Sequence, residues 1–328
     1  TLHHFSDPLW FTEMGGWTGK DASALFEPYV AKVIEALKEY VSLWVTINEP
    51  NVFAVSGYLF GDFPPGLTNP AKARRVMINL VRAHAAAYHT IHDIQTTARV
   101  GLAHNYHCMK PRSSSSLLDR WAASMGRHIF NDLIPGGCSS GVMRFPVWHS
   151  RIPQARNTQD FLGLNYYTRE LISLDLLKPG QAFVRRSHHD EDQLSDTRFI
   201  ANFPEGMFEA LKWAERFRLP IIITENGIEN ARDDLRPRYI LGHLHQVWRA
   251  LNFNYPVKGY FHWTLVDNFE WERGWTQRFG LWELDIQTQV RSKRASADLY
   301  AEICNQNAIS SSLVAKYAPE LLQSMFPG

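Results

Sequence analysis

The chain has 328 residues, 45% of them hydrophobic and 20% charged, and its 34 Lys and Arg against 33 Asp and Glu leave a formal charge of +1. That balance excludes a disordered polyelectrolyte, and it argues against nucleic acid as a partner, since neutralising phosphates requires clustered cations. The length admits two domains or one α/β barrel of about 250 residues with extensions.

Taken in chain order, strand-like and helix-like segments alternate, the pattern of a mostly parallel sheet covered by helices. Thr1 to His4 reads as the end of a buried strand. From Ala24 to Tyr40, the apolar residues Phe26, Tyr29, Val30, Val33, Ile34 and Leu37 recur at helical spacing, and a strand follows at Leu43 to Ile47. A long helix is expected over Ala71 to Thr96, opened by Pro70, then a strand at Arg99 to Ala103 and a helix at Leu117 to Leu133. An irregular Gly/Pro/Ser stretch leads to an apolar strand at Phe161 to Asn165. The polar run from about Leu177 to Asn202 reads as a loop compatible with local mobility. Helix Gly206 to Phe217, strand Ile221 to Thr224, helix Pro237 to Leu251 and strand Val257 to Trp263 follow. Ser296 to Asn305 reads as a closing helix and Leu313 to Leu322 as an amphipathic tail. Six parallel strands are therefore expected in one domain spanning residues 1–328.

Other signals are few. Apolar runs such as Pro220 to Ile223 are far shorter than the roughly 18 residues of a membrane span, so no membrane partner is expected. Cys108, Cys138 and Cys304 are odd in number and lack paired spacing, which points to no disulfide framework and to a cytoplasmic setting. The basic runs Arg185-Arg186 and Arg291 to Arg294 read as solvated loop charge. His243 and His245 would point to different faces of a helix, so a metal site is not expected.

Several strands end in polar residues that strand propensity does not explain. They are Thr46-Ile47-Asn48-Glu49-Pro50, Asn165-Tyr166-Tyr167 and Thr224-Glu225-Asn226-Gly227, with Trp263 leading on to Asp267-Asn268-Phe269-Glu270-Trp271. Carboxyl ends of parallel strands are where such folds build their sites. Two glutamates there meet the requirement of glycoside hydrolysis, one to protonate the leaving oxygen and one to attack the anomeric carbon. The alternative is that each caps a helix or pairs with an arginine.

Thr46-Ile-Asn-Glu-Pro50 and Ile223-Thr-Glu-Asn-Gly227, whose glutamates lie 176 residues apart, resemble the two signatures of glycoside hydrolase family 1, the β-glucosidase family. Leu2-His3-His4, Asp160 to Tyr167, Trp263 to Trp271 and Arg278-Phe-Gly-Leu281 resemble further segments of it. The resemblance implies a (β/α)8 TIM-barrel type of fold, here incomplete, and retaining hydrolysis of β-linked glycosides without metal or organic cofactor. It implies Glu49 as acid/base and Glu225 as nucleophile. His4, Asn48 and Glu270 would bind sugar hydroxyls over a Trp263 platform, and Tyr167 would hydrogen-bond the nucleophile with Asn165 beside it. Trp271 and Phe279 would complete the wall. A carboxylate at Glu270 would repel a 6-phosphate, so unphosphorylated sugars are expected; comparable turnover of a 6-phosphoglycoside and its unphosphorylated counterpart would contradict this.

Against the family pattern, the chain opens at what would be the third strand. The first-strand Gln that binds outer hydroxyls and the second-strand Arg beside the nucleophile have no match, and Phe5 stands where Trp is usual. Activity could therefore be weak, and a catalytically inactive carbohydrate-binding relative is the alternative reading. An open arc of strands would leave unpaired edges, so a second copy or another chain is expected to cover the gap; a compact monodisperse monomer would argue against it.

Overall fold

The computed structural model describes residues 1–178 and 183–327. Its strands are β1 (Leu43–Asn48), β2 (Arg99–Asn105), β3 (Cys108–Pro111), β4 (Val142–Phe145), β5 (Trp148–Arg151), β6 (Phe161–Asn165), β7 (Arg169–Leu174), β8 (Val184–Ser187), β9 (Ile221–Glu225), β10 (Val257–Tyr260), β11 (Trp282–Leu284) and β12 (Arg291–Lys293). Its helices are α1 (Leu9–Glu13), α2 (Ala22–Leu37), α3 (Pro50–Val55), α4 (Pro70–Ile94), α5 (Leu117–Arg127), α6 (Leu133–Ser140), α7 (Glu205–Glu215), α8 (Arg236–Asn252), α9 (Ala295–Gln306), α10 (Ser311–Tyr317) and α11 (Leu322–Met325).

Five strands form an all-parallel sheet in the order β1-β2-β6-β9-β10, an arc of an incomplete (β/α)8 barrel. The sixth expected strand, Thr1–His4, shrinks to one parallel bridge between His3 and Ile47. It is held by Leu2 N–H to Val45 O (2.8 Å) and Asn48 N–H to His3 O (2.9 Å). β6 is buried at every position, as expected of a parallel strand packed on both faces. Outside the arc, α2 and α4 pack on β1 and β2 around Val30, Ile34, Val76 and Leu80, all within 1% of complete burial. α7 and α8 pack on β6 and β9 through Met207, Leu211, Ile221 and Ile223. α4 starts where Asn69 accepts the Lys72 N–H and Pro70 occupies the first turn, whose amide needs no partner.

Several expectations are corrected. The helix expected over Leu117–Leu133 is present as α5 and a π-helical turn, His128–Asp132, that runs without a break into α6, so the start of the stretch read as irregular is helical to Ser140. The Leu177 to Asn202 loop contains β8, paired antiparallel with β7; residues 179–182 of it lie outside the described residues. β3 and β7 continue beyond β2 and β6 as a second parallel pair, so β3, β7 and β8 form a small sheet over the carboxyl end of the arc. Short strands rich in Arg and Lys carry too little alternation to be read from sequence. The basic runs are not simply solvated: Arg185 bonds Asp175 (2.9 Å), and Arg294 is buried against Asp267 with two contacts of 3.0 Å.

Candidate active site

At the carboxyl end of the arc lies a cavity of about 560 Å³ whose lining includes Glu49, Glu225, His4, Tyr167, Trp263 and Glu270, with Trp271 and Phe279 completing the wall. Glu49 is the single residue between β1 and α3. Its φ of 44° lies in the left-handed region, a costly conformation held by its N–H to Ala103 O (2.8 Å) and by Phe53 N–H to its own carbonyl (3.0 Å). Pro50 next to it fixes the first helical φ, so the side chain projects from a defined joint.

Oε1 of Glu49 accepts two amide N–H bonds, from Asn105 (2.7 Å) and Asn165 (2.8 Å). Asn165 is oriented in turn by Thr224, whose hydroxyl donates to Oδ1 at 2.5 Å, and it also reaches Asn48 Oδ1 at 3.2 Å. The Asn48 amide donates to His4 Nε2 (3.1 Å). Burial pushes His4 down to about 4, so it is neutral and can accept that bond. Glu225 ends β9 and takes the Tyr167 hydroxyl on Oε2 at 2.5 Å. Trp263 donates its indole N–H to Glu270 Oε1 (3.1 Å). The His4 ring lies 5.8 Å from Trp263 and 5.5 Å from Trp271, and Phe5 lies 5.2 Å from Trp271, making one aromatic wall.

The rest of the second glutamate motif is scaffold. Asn226 is fully buried and donates to Tyr166 O (2.6 Å) and Tyr239 OH (2.9 Å), while Tyr260 OH donates to its Oδ1 (2.8 Å). A Cβ on Gly227 would stand 1.8 Å from the Trp263 carbonyl oxygen, so only glycine lets the Trp263 backbone approach this close.

Burial raises Glu49 above the ordinary carboxyl range against the opposing pull of the Asn165 and Asn105 amides. Burial also raises Glu225 well above it, and the Glu49 charge adds to the shift against the Tyr167 hydrogen bond. Glu270 is raised by burial as well. The arginines that line the cavity are committed elsewhere, Arg186 at 3.8 Å from Glu170 and Arg273 at 3.2 Å from Glu272. Burial would raise Glu170 too, but His107 and Arg186 outweigh it and bring it to about 2. Both carboxyls are thus displaced toward the protonated form, and a charge on Glu49 opposes ionisation of Glu225.

These raised values make the site a cost to the fold at neutral pH. Stability associated with the protonated carboxyls is fully present below their ordinary value and is lost as pH rises through the raised ones. Glu225→Gln is accordingly expected to unfold at a higher temperature than the parent at pH 7, by roughly 2 °C per kcal/mol relieved, with the gain shrinking toward pH 4. Thermal unfolding at the two pH values checks this; a variant no more stable than the parent at pH 7 contradicts it.

The structure thus gathers Glu49, Glu225, His4, Tyr167, Trp263, Glu270, Trp271 and Phe279 around one cavity, with Asn48 and Asn165 in the layer behind the glutamates. Asn165 pairs in register with Glu225 yet spends its amide on Glu49. Asn105 closes β2 two residues beyond the Ala103 end expected from the sequence, and a polar residue closing an apolar strand is the signal that marks it. Among the described residues no group of three or more His, Cys, Asp or Glu side chains is placed to hold a metal, and no helix is long and apolar enough to cross a membrane.

The sequence profile of glycosyl hydrolase family 1 matches residues 1–309. The chain is 30% identical over 354 residues to a β-galactosidase of Pyrococcus woesei, covering 95% of this chain and 69% of that protein. It is 30% identical over 334 residues to β-glucosidase A of Thermotoga maritima, covering 94% and 73%. Among solved structures, a β-glycosidase from Pyrococcus horikoshii superposes with a TM-score of 0.89 at 37% identity over 96% of this chain and 73% of that one. The Thermotoga maritima β-glucosidase in complex with glucoimidazole superposes at 0.85 with 28% identity, covering 94% and 73%. The profile match over most of the chain and the two glutamates at strand ends lining one cavity agree: the chain belongs to glycosyl hydrolase family 1.

Proposed function

We propose that the chain is a retaining β-glycosidase acting on unphosphorylated β-glycosides such as β-glucosides, with Glu49 as acid/base and Glu225 as nucleophile. The observation that carries this assignment is the asymmetry of the pair. Both amide donors of Glu49 fall on Oε1, which leaves Oε2 for a proton, whereas Glu225 accepts the Tyr167 hydroxyl on Oε2; that bond opposes the rise imposed by burial, and a proton on Glu49 removes the neighbouring charge that adds to it. Two carboxyls in unlike surroundings divide the work of acid and nucleophile.

In the first step a Glu225 oxygen bonds to the anomeric carbon while the glycosidic bond breaks and the Glu49 proton passes to the leaving oxygen. The products are a glycosyl ester on Glu225 and a free alcohol. Water then attacks the same carbon, gives its proton to Glu49 and displaces Glu225, which returns to its ionised form. His4, Asn48 and Glu270 would bind hydroxyls and Trp263 would lie under the ring, whose apolar face suits an aromatic surface. Asn48 would meet the 2-hydroxyl, where contacts strengthen in the transition state.

Two displacements at one carbon restore its configuration. Proton NMR of p-nitrophenyl β-glucoside hydrolysis is expected to show the β anomer of glucose appearing first, before mutarotation. The α anomer appearing first would overturn the assignment of Glu225 as nucleophile.

A further inference from the structure

Four residues after Glu225, between β9 and α8, Glu229 is a completely buried carboxyl that the proposed mechanism does not use. Its Oε1 accepts the Thr197 hydroxyl (2.6 Å), the Thr197 N–H (3.2 Å) and the Ser195 hydroxyl, while Oε2 has no partner among the described residues. Ser195 Oγ accepts the Ile200 N–H (2.9 Å), and the Ser195 N–H donates to Ile200 O (2.8 Å). Glu229 thereby pins the turn over residues 195–200 to the segment that leaves the Glu225 strand, and Ile200 on that turn lines the sugar cavity.

The Thr197 hydroxyl has one proton and gives it to Glu229, so toward any other neighbour it can only accept. That neighbour is the Gln277 amide, whose Nε2 donates to it at 2.9 Å. Burial raises Glu229 above the ordinary carboxyl range against the pull of the two hydroxyls, and a proton there would settle on the free Oε2, so Oε1 accepts in either state and the order of donors does not change. With its NH2 committed to Thr197, Gln277 has its Oε1 turned away, and that oxygen takes no hydrogen bond among the described residues. Gln277 is 2% exposed and lines the sugar cavity, as does Phe279, whereas Arg278 between them does not. The Phe279 ring meets that of Tyr167, the donor to Glu225, edge-on at 6.1 Å. A fixed oxygen at this wall can take a hydroxyl proton and discriminates against a ligand that lacks the donor.

We propose that Gln277 is a further sugar-binding residue, its amide turned by Thr197 and anchored through it on Glu229 so that Oε1 accepts a hydrogen bond from a hydroxyl of the glycosyl unit. This contact deepens the glycosidase reading, on which it rests for turnover but not for binding.

The test uses p-nitrophenyl β-glucoside and its 2-, 3-, 4- and 6-deoxy analogues with the parent protein, Gln277→Met, Thr197→Val and the double variant. Gln277→Met keeps the length of the side chain and removes the acceptor. It is expected to lower kcat/KM for the glucoside by about five- to tenfold, the worth of one neutral hydrogen bond. With one deoxy analogue, the one that lacks the donating hydroxyl, variant and parent should be equal, which also reports that the variant is folded. Thr197 is itself exposed, so Thr197→Val leaves the core alone. It should nevertheless reproduce the loss, the double variant should be no worse than Gln277→Met alone, and Thr197→Ser should restore the parent values. A deficit equal on every analogue, no deficit in Gln277→Met or Thr197→Val, or losses that multiply in the double variant would overturn the contact and leave the glycosidase reading standing. If no glucoside is hydrolysed, calorimetric titration with methyl β-D-glucopyranoside and its deoxy analogues reads the same pattern in Kd. A deficit that one analogue abolishes upholds the contact, and equal affinities of parent and Gln277→Met refute it.

Discussion

Glu225→Gln is expected to lower hydrolysis of aryl β-glucosides by about 10⁴-fold or more, because the amide keeps the shape of the carboxylate but cannot form the glycosyl ester. Tyr167 would still find an acceptor in the amide oxygen, so the fold around β9 should persist, and the higher thermal stability expected at pH 7 separates lost chemistry from lost structure. Added azide gives a second readout. In Glu225→Gly, where the side chain is gone, a small anion in the space of the missing carboxylate attacks from the same face as Glu225, so its product should be the α-glycosyl azide. Recovery of the β-glycosyl azide, or a variant as active as the parent, would contradict the role of Glu225.

Glu49→Ala has the other large effect, and it depends on the leaving group. General acid catalysis is worth about 10²–10⁴-fold, so kcat/KM for an alkyl glucoside should fall by that factor. For 2,4-dinitrophenyl β-glucoside it should change little, since that phenolate departs without a proton. The second step then becomes limiting, and azide, which needs no base, should restore turnover as the β-glycosyl azide. The pH profile carries the sign. Glu49 must hold its proton in the first step, so the parent loses activity as pH rises through its raised value, and the alanine variant should lack that limb. Equal losses on both substrates would point instead to a collapsed site, for Asn105 and Asn165 lose their shared acceptor when Glu49 is removed.

Much of this was legible in the residues. Asn-Glu-Pro and Thr-Glu-Asn-Gly stand out because polar groups at the mouths of apolar strands have no reason in strand propensity, and the structure supplies the reasons one by one. Pro50 starts the helix, Asn226 ties three tyrosines, and Gly227 admits the Trp263 carbonyl. The β6, β9 and long α4 segments were equally plain, because burial on both faces or a clear 3.6-residue repeat leaves a strong pattern. What stayed hidden depends on distant partners. β3, β7 and β8 exist because neighbouring strands extend past the barrel mouth and find one another there, not because their sequences alternate. Arg186 read as solvated charge until the fold set it between Glu170 and Phe60 in the lining of the sugar cavity. Asn105 needed two more residues of strand than propensity granted, and the upward shift of both glutamates follows only from burial and, for Glu225, the Glu49 charge.

The most direct test of Glu225 as a covalent nucleophile is intact mass of the protein after incubation with a 2-deoxy-2-fluoro-β-glucoside bearing a dinitrophenyl leaving group. The fluorine slows both displacements by destabilising the electron-poor transition state, while the good leaving group rescues only the first, so the ester accumulates. The account predicts a gain of one fluoroglucosyl unit in the parent, mapped to the peptide holding Glu225, and none in Glu225→Gln. No adduct on a folded parent, or an adduct that persists in Glu225→Gln, would contradict it and move weight to a chain that binds sugars without turning them over.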